Sequence, residues 1–270
     1  MNTSRQIRSI GKVLVVVGLL GTTSLLARAQ EAAPLAIYAT ASLHAPLQLE
    51  QVVKNLEERN ASRAAALSQF EGERVYRMQY RGFPSDHNAE MVVKVNYRAP
   101  DFKEFEVVSQ TGSKFILDHV FKKLLEGEKE AAKAENRSQS SLTRDNYDFE
   151  LAAYEPGSDG GQYVLNLLPK SKNKFLYRGK IWVDGKDFAV LRIEAEPGKN
   201  PSMWIKKTVI NHKYVKVDDF WLPEENRTES VLRLGGTATL SIEYRSYKIL
   251  KSSPLNAAAE NNVGFQSIAR

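Results

Sequence analysis

The sequence predicts a mainly β (α+β) fold: an antiparallel, unclosed β-barrel, or strongly curved sheet, of about 8–11 strands, with two helices covering its concave face. Three observations carry it. Apolar and polar residues alternate with period two through most of the chain, the pattern of half-buried strands. Turn signals rich in Gly, Pro and Asp separate those segments at short intervals, as an antiparallel meander requires. Only two stretches change to three- and four-residue spacing, and both are long enough to be helices.

In chain order, Arg5, Arg8 and Lys12 precede the apolar run Val13–Leu20, and Ala27-Arg28-Ala29 closes it with small residues. That order reads residues 1–29 as a secretory signal peptide cut near Ala29, and the run is too diluted by Gly, Thr and Ser to span a bilayer. Residues 30–46 form an Ala-rich, aperiodic and flexible lead-in. Leu49, Val52, Val53, Leu56, Asn60, Ala64 and Leu67 then mark an amphipathic helix. Phe70, Arg74, Tyr76, Met78 and Tyr80 share one side of a strand, with Val75 as an exception. Met91, Val93, Val95 and Tyr97 share a side of the next, and Phe105 and Val107 of a third, with turns at Gly82–Asp86 and Arg98–Asp101.

Ser113 is placed to cap a second helix, whose stripe is Phe115, Ile116, Val120, Phe121, Leu124 and Leu125. Lys129–Asn146 turns polar and is expected as an exposed loop. Strands resume at Tyr147–Tyr154 and Gln162–Leu168. Lys174–Val183 and Phe188–Ala195 flank Asp184-Gly185, a two-residue hairpin signal because both turn positions need positive φ. Trp204–Val217 is one long strand, Asp218-Asp219 a turn, and Phe220–Leu222 and Thr228–Leu234 separate strand segments. Gly235-Gly236 leads into Thr237–Leu250, where Ala238, Leu240, Ile242 and Tyr244 share a face. Residues 47–250 thus form a single half-barrel domain, and residues 251–270 a loose polar tail.

Composition narrows the chemistry. The 270 residues contain no Cys, so there is no disulfide, thiol nucleophile, Cys-ligated zinc or lipid-bearing cysteine. The net charge of +6 falls to +2 once the four cations of residues 1–29 are removed, which gives no reason to expect nucleic acid. An exported domain without Cys points to a bacterial periplasm. His44, His87, His119 and His212 lack metal-ligand spacing, and no metal or other cofactor is expected. No G-x-S-x-G elbow and no phosphate-binding G-K-[ST] occurs, so no catalytic residue is assigned. The lysine runs Lys170–Lys180 and Lys206–Lys216 read as solvent faces of strands that discourage edge pairing, with a docking patch for anionic head groups as the sharper alternative.

An apolar sheet face covered by only two helices leaves room for a ligand. The residues expected to line that room are Tyr76, Met78, Tyr80, Met91, Val93, Val95, Phe105, Leu191 and Ile193. Met adapts to flexible chains, and each buried methylene contributes about 0.8 kcal/mol, so an acyl chain needs no specific polar contact.

The segments Asn146–Glu150, Tyr163–Pro169, Gly179–Asp184 and Phe220–Pro223 resemble bacterial outer-membrane lipoprotein-sorting proteins, grouped with the LolA/LolB carriers and the N-terminal domain of the RseB sensor. The resemblance covers about Leu49 to Leu250 and rests on strands and turns, so no functional residue is carried over. It implies an unclosed barrel with a helical lid over a hydrophobic cavity. The function it implies is a periplasmic carrier that holds lipid or lipoprotein acyl chains and works, as a monomer and not an enzyme, with inner- and outer-membrane partner proteins. An RseB-like sensor or scaffold binding a regulatory protein is the alternative, and an envelope hydrolase the second alternative.

Overall fold

The computed structural model describes residues 46–250 apart from Lys174 and Pro201. The expected signal peptide, the lead-in up to residue 45, His44 and the tail from residue 251 lie outside the described residues. Helix α1 spans Leu49–Ala66 and is followed by strands β1 (Gln69–Arg81), β2 (His87–Arg98) and β3 (Phe102–Gly112). A helical run, α2, comprises Lys114–Ile116, a π-helical stretch over Leu117–Phe121, and Lys122–Ala132; a short α3 covers Ala134–Ser138. Seven strands complete the described residues: β4 (Tyr147–Glu155), β5 (Gln162–Pro169), β6 (Tyr177–Asp184), β7 (Val190–Pro197), β8 (Ile205–Val217), β9 (Phe220–Leu232) and β10 (Thr237–Leu250).

All ten strands form one antiparallel sheet in the order β3-β2-β1-β10-β9-β8-β7-β6-β5-β4. β1 and β10 pair with each other, and among the described residues β3 and β4 are the two edges, so the curved sheet stays unclosed. The connection between those edges, residues 113–146, must cross the whole face. It carries α2 and α3, which is why helices cover the sheet there.

Each helix covers its own half. Val52, Val53 and Leu56 of α1 pack with Tyr163, Leu165, Ile181 and Ile193 of the β4–β8 half. Ile116, Val120, Phe121 and Leu124 of α2 pack with Tyr76, Met78, Met91, Leu240 and Ile242 of the β1, β2 and β10 half. The wide π turn keeps Ile116, Val120 and Leu124, spaced by four, on one side, where a regular helix would drift off it. Ser113 precedes α2, but its side chain makes no capping bond.

Three local features differ from the sequence-based expectation. Asp184-Gly185 begins a longer loop rather than a two-residue turn: the Asp184 carboxylate accepts from the Lys186 and Asp187 amides, and Phe188 takes the positive φ of 49°. The expected break after Leu222 is absent, because Pro223 sits where the register shifts against Tyr214 and its missing N–H leaves the ladder intact. Residues 129–138 are largely helical rather than loop.

Candidate functional site

The two apolar clusters do not meet over the middle of the sheet, and an open cavity lies between them. Its larger part, about 500 Å³, opens between the last turns of α1, the 140–143 segment and β8–β9, with Ala61, Leu142, Val190 and Phe220 among its walls. A second part of about 330 Å³ runs on toward β3 and is lined by Phe70, Tyr97, Phe175, Tyr177, Pro223 and Tyr247. The two share Ala64, Leu67, Ser140, Tyr214, Trp221 and Leu222, so they form one continuous cleft.

The local sequence explains the walls. A bulge in β10 between the Glu71–Lys248 and Glu73–Arg245 pairings, with Ser246 at φ 54°, reverses the alternation after Tyr244 and turns Tyr247 inward. Its hydroxyl donates to the Pro223 carbonyl at 2.8 Å, and its ring meets Phe70 edge-on, which in turn stacks on Tyr97. The end of α1 buries no apolar side chain beyond Leu56. It is held instead by Arg63, which donates to the Asp187 and Phe188 carbonyls at 2.8 and 3.0 Å.

At the β3 end, charge is buried. Arg74, Lys103 and Glu128 are 4, 5 and 2 % exposed, and Glu128 is the carboxylate between the two cations. Its Oε2 accepts from Arg74 Nη1 at 2.6 Å and from Lys103 Nζ at 2.8 Å, while its Oε1 accepts from the Tyr76 hydroxyl at 2.8 Å. The Arg74 guanidinium also lies over the Tyr244 ring, 4.6 Å from its centre. Burial alone would raise the Glu128 pKa, but Lys103 and Arg74 outweigh it and bring the group down to about 2. Burial lowers Lys103, only partly offset by Glu128; for Arg74 the carboxylate prevails over burial and the guanidinium is raised. Arg74, Lys103 and Arg137 line the cavity; Glu128 lies behind them.

The inward face of the central strands β8 and β9 carries a band of polar side chains, Thr208, His212, Asn226, Thr228 and Ser230, beside Ile210. Thr208 and Ser230 share a hydrogen bond of 3.1 Å. His212 is fully buried against Tyr177, and neither ring nitrogen has a hydrogen-bond partner in the protein; burial pushes its pKa well below 6.5, so the ring is neutral at pH 7. This polar band separates the two apolar clusters.

None of the nine residues expected to line the cavity borders it. Tyr76, Met78, Tyr80, Met91, Val93 and Val95 are buried beneath α2, with Phe105 at the margin of that cluster, and Ile193 lies in the other cluster. Leu191 does not join Ile193: the ladder steps from Trp182–Arg192 to Val183–Val190, leaving Leu191 as a bulge and turning Val190 inward. The open space lies instead between the last turns of α1, the end of α2 and the central strands. Two of its features leave a trace in the sequence: Arg74 interrupts the apolar face of β1, and Glu128 continues the Val120–Leu124 stripe of α2 by one further turn. Lys103 leaves none.

Among the described residues there is no cluster of three or more metal-ligating side chains and no helix long and apolar enough to cross a membrane. Ser85 and His87 approach to 3.2 Å on the exposed β1–β2 connection, away from the cleft, and the neighbouring Asp86 carboxylate accepts from the Gly82 amide. Four lysines of the two basic runs are paired across the surface, Lys170 with Asp148, Lys207 with Glu196, Lys213 with Glu225 and Lys216 with Asp187.

No protein-family model and no curated protein matches the chain. Among solved structures, it is similar to a DUF1329 family protein from Desulfovibrio piger, at 14% identity over 76% of this chain and 94% of that one, with a TM-score of 0.40. It is also similar to a putative outer membrane lipoprotein-sorting protein domain from Vibrio parahaemolyticus, at 12% identity over 78% and 97%, with a TM-score of 0.36. A LolA superfamily protein from Nitrosomonas europaea is similar at 12% identity over 78% and 96%, with a TM-score of 0.35.

Proposed function

We propose that this chain is exported to the periplasm and binds lipid, holding an alkyl chain of a lipid or lipoprotein in the cleft between sheet and helices. The observation that carries the reading is the continuous cleft between two separately packed clusters, walled by Leu67, Phe70, Trp221 and Leu222. Its dimensions suit a ligand of some 300–1,000 Å³, and burial of methylenes at about 0.8 kcal/mol each supplies affinity without a polar motif. The end of α1, held by Arg63 rather than by buried apolar side chains, is the element that admits the ligand. The protein acts by binding and release, and no reaction is assigned to it.

The test uses the chain without residues 1–29. Native mass spectrometry is expected to show co-purified lipid, and the fluorescent probe N-phenyl-1-naphthylamine should bind with a response from Trp221. Ala64 is exposed and borders both parts of the cleft, so Ala64→Trp should weaken the probe at least tenfold while leaving the circular dichroism spectrum unchanged. A protein that carries no lipid and refuses the probe, yet retains a regulatory protein stably from envelope extract, would move the function to the sensor reading.

A further inference from the structure

The cleft is apolar along most of its length, but its β3 end is cationic. Arg74 and Lys103 face it from the sheet and Arg137 from α3, while among the described residues the carboxylate that touches Arg74 and Lys103 is Glu128. One negative charge shared between two almost fully buried cations leaves an excess of one positive charge, and an excess charge out of water is costly unless something neutralises it. The carboxylate is already engaged by three donors, since Oε2 serves both cations and Oε1 takes the Tyr76 hydroxyl. A ligand group placed there meets donors rather than acceptors. From the same point Phe70, Leu67, Trp221 and Leu222 lead away toward the α1 end as an apolar track.

We infer that the ligand is an anionic amphiphile, its carboxylate or phosphate head seated on Arg74 and Lys103 and its alkyl chain lying along Leu67, Trp221 and Leu222. This deepens the lipid-binding reading and rests on it. Charge-assisted bonds to an ionised head are stronger than those to a hydroxyl, so head-group charge, not chain length, distinguishes ligands of equal chain. Glu128 then acts as a positioning residue. It holds both cations at the cavity wall and leaves one of the two charges for the ligand.

The experiment displaces N-phenyl-1-naphthylamine from the signal-free chain with dodecanoate, dodecyl phosphate, dodecanol and dodecylammonium, all below their critical micelle concentrations. The wild type is expected to bind the two anions at least tenfold more tightly than dodecanol, and the ammonium least. The tighter of the two anions identifies the head group. Lys103→Met leaves a balanced Arg74–Glu128 pair; it should reduce the preference for anion over dodecanol to within about threefold. Equal binding of anion and alcohol by the wild type would overturn the inference and leave the lipid-binding reading standing. A full preference retained in Lys103→Met would overturn the assignment to this site. If no amphiphile displaces the probe, or the probe itself does not bind, the lipid-binding reading fails and this inference with it. The wild-type comparison decides the matter even if the variant does not fold.

Discussion

Replacing Glu128 by Gln removes the negative charge from the most deeply buried ionic cluster in the described structure while keeping the side-chain shape. Glu128 accepts three hydrogen bonds, two from cations at 2.6 and 2.8 Å. Its pKa lies at about 2 in the folded protein, below the usual 4.5. A depressed carboxyl contributes stability that is fully present above its unfolded pKa and is lost as pH falls through the folded one. The window is therefore about pH 4.5 down to about 2, and at 1.36 kcal/mol per pH unit the contribution is about 3 kcal/mol. In Glu128→Gln, Arg74 and Lys103 confront each other without a counter-charge, a change that costs about 3–5 kcal/mol in buried pairs. Burial already lowers the Lys103 pKa, so proton release from this lysine relieves part of the strain and puts the cost near the lower bound. The assay is urea unfolding followed by circular dichroism from pH 2 to pH 8. The variant should be about 3 kcal/mol less stable at pH 7, and the difference should close toward pH 2. A variant within 1 kcal/mol of wild type at pH 7, or a difference that does not change with pH, would refute the reasoning.

Three further perturbations probe the rest of the molecule. His212→Leu removes two ring nitrogens that have no protein partner, so urea unfolding should show unchanged stability or a gain of about 1–2 kcal/mol; a loss above 1 kcal/mol would mean that the ring does make bonds in solution. Arg63→Ala frees the end of α1 from the Asp187 and Phe188 carbonyls; at about 1–2 kcal/mol for these half-exposed bonds, stopped-flow release of the naphthylamine probe should accelerate about 5- to 30-fold, and an unchanged rate would show that α1 is not the gate. Gly179→Ala puts a methyl against the Glu194 carbonyl oxygen and the Ala195 Cα of the neighbouring strand, backbone atoms that cannot step aside, so a thermal melt should report a loss of about 1–3 kcal/mol.

Much of the fold was legible in the sequence because a half-buried strand writes its burial directly as alternation. Ala238, Leu240, Ile242 and Tyr244 all face inward as their spacing requires, and Gly235 and Gly236 both take φ 92° in the turn before them. Val52, Val53 and Leu56 mark the buried side of α1 for the same reason, with period 3.6 in place of two. The candidate site was less legible. The residues that the sequence offers as a cavity wall are large, apolar and inward-facing, and those are equally the properties of a packed core. Inward-facing residues become core or cavity wall according to whether a helix lies over them, and alternation carries no record of that.

What the sequence determined by itself is therefore local: which segments form strands, which face of most of them is apolar, and where several of the turns fall. Tertiary structure alone decided that β1 joins β10, that the 113–146 connection spans the face, and that α1 and α2 each cover one half and leave the middle open. It also brought Arg74, Lys103 and Glu128 together from β1, β3 and α2, 54 and 25 positions apart in two of the contacts. Local spacing sets only the direction in which a side chain leaves its own backbone. The cavity and its charge depend on what lies opposite, and that is set by the crossing of distant segments.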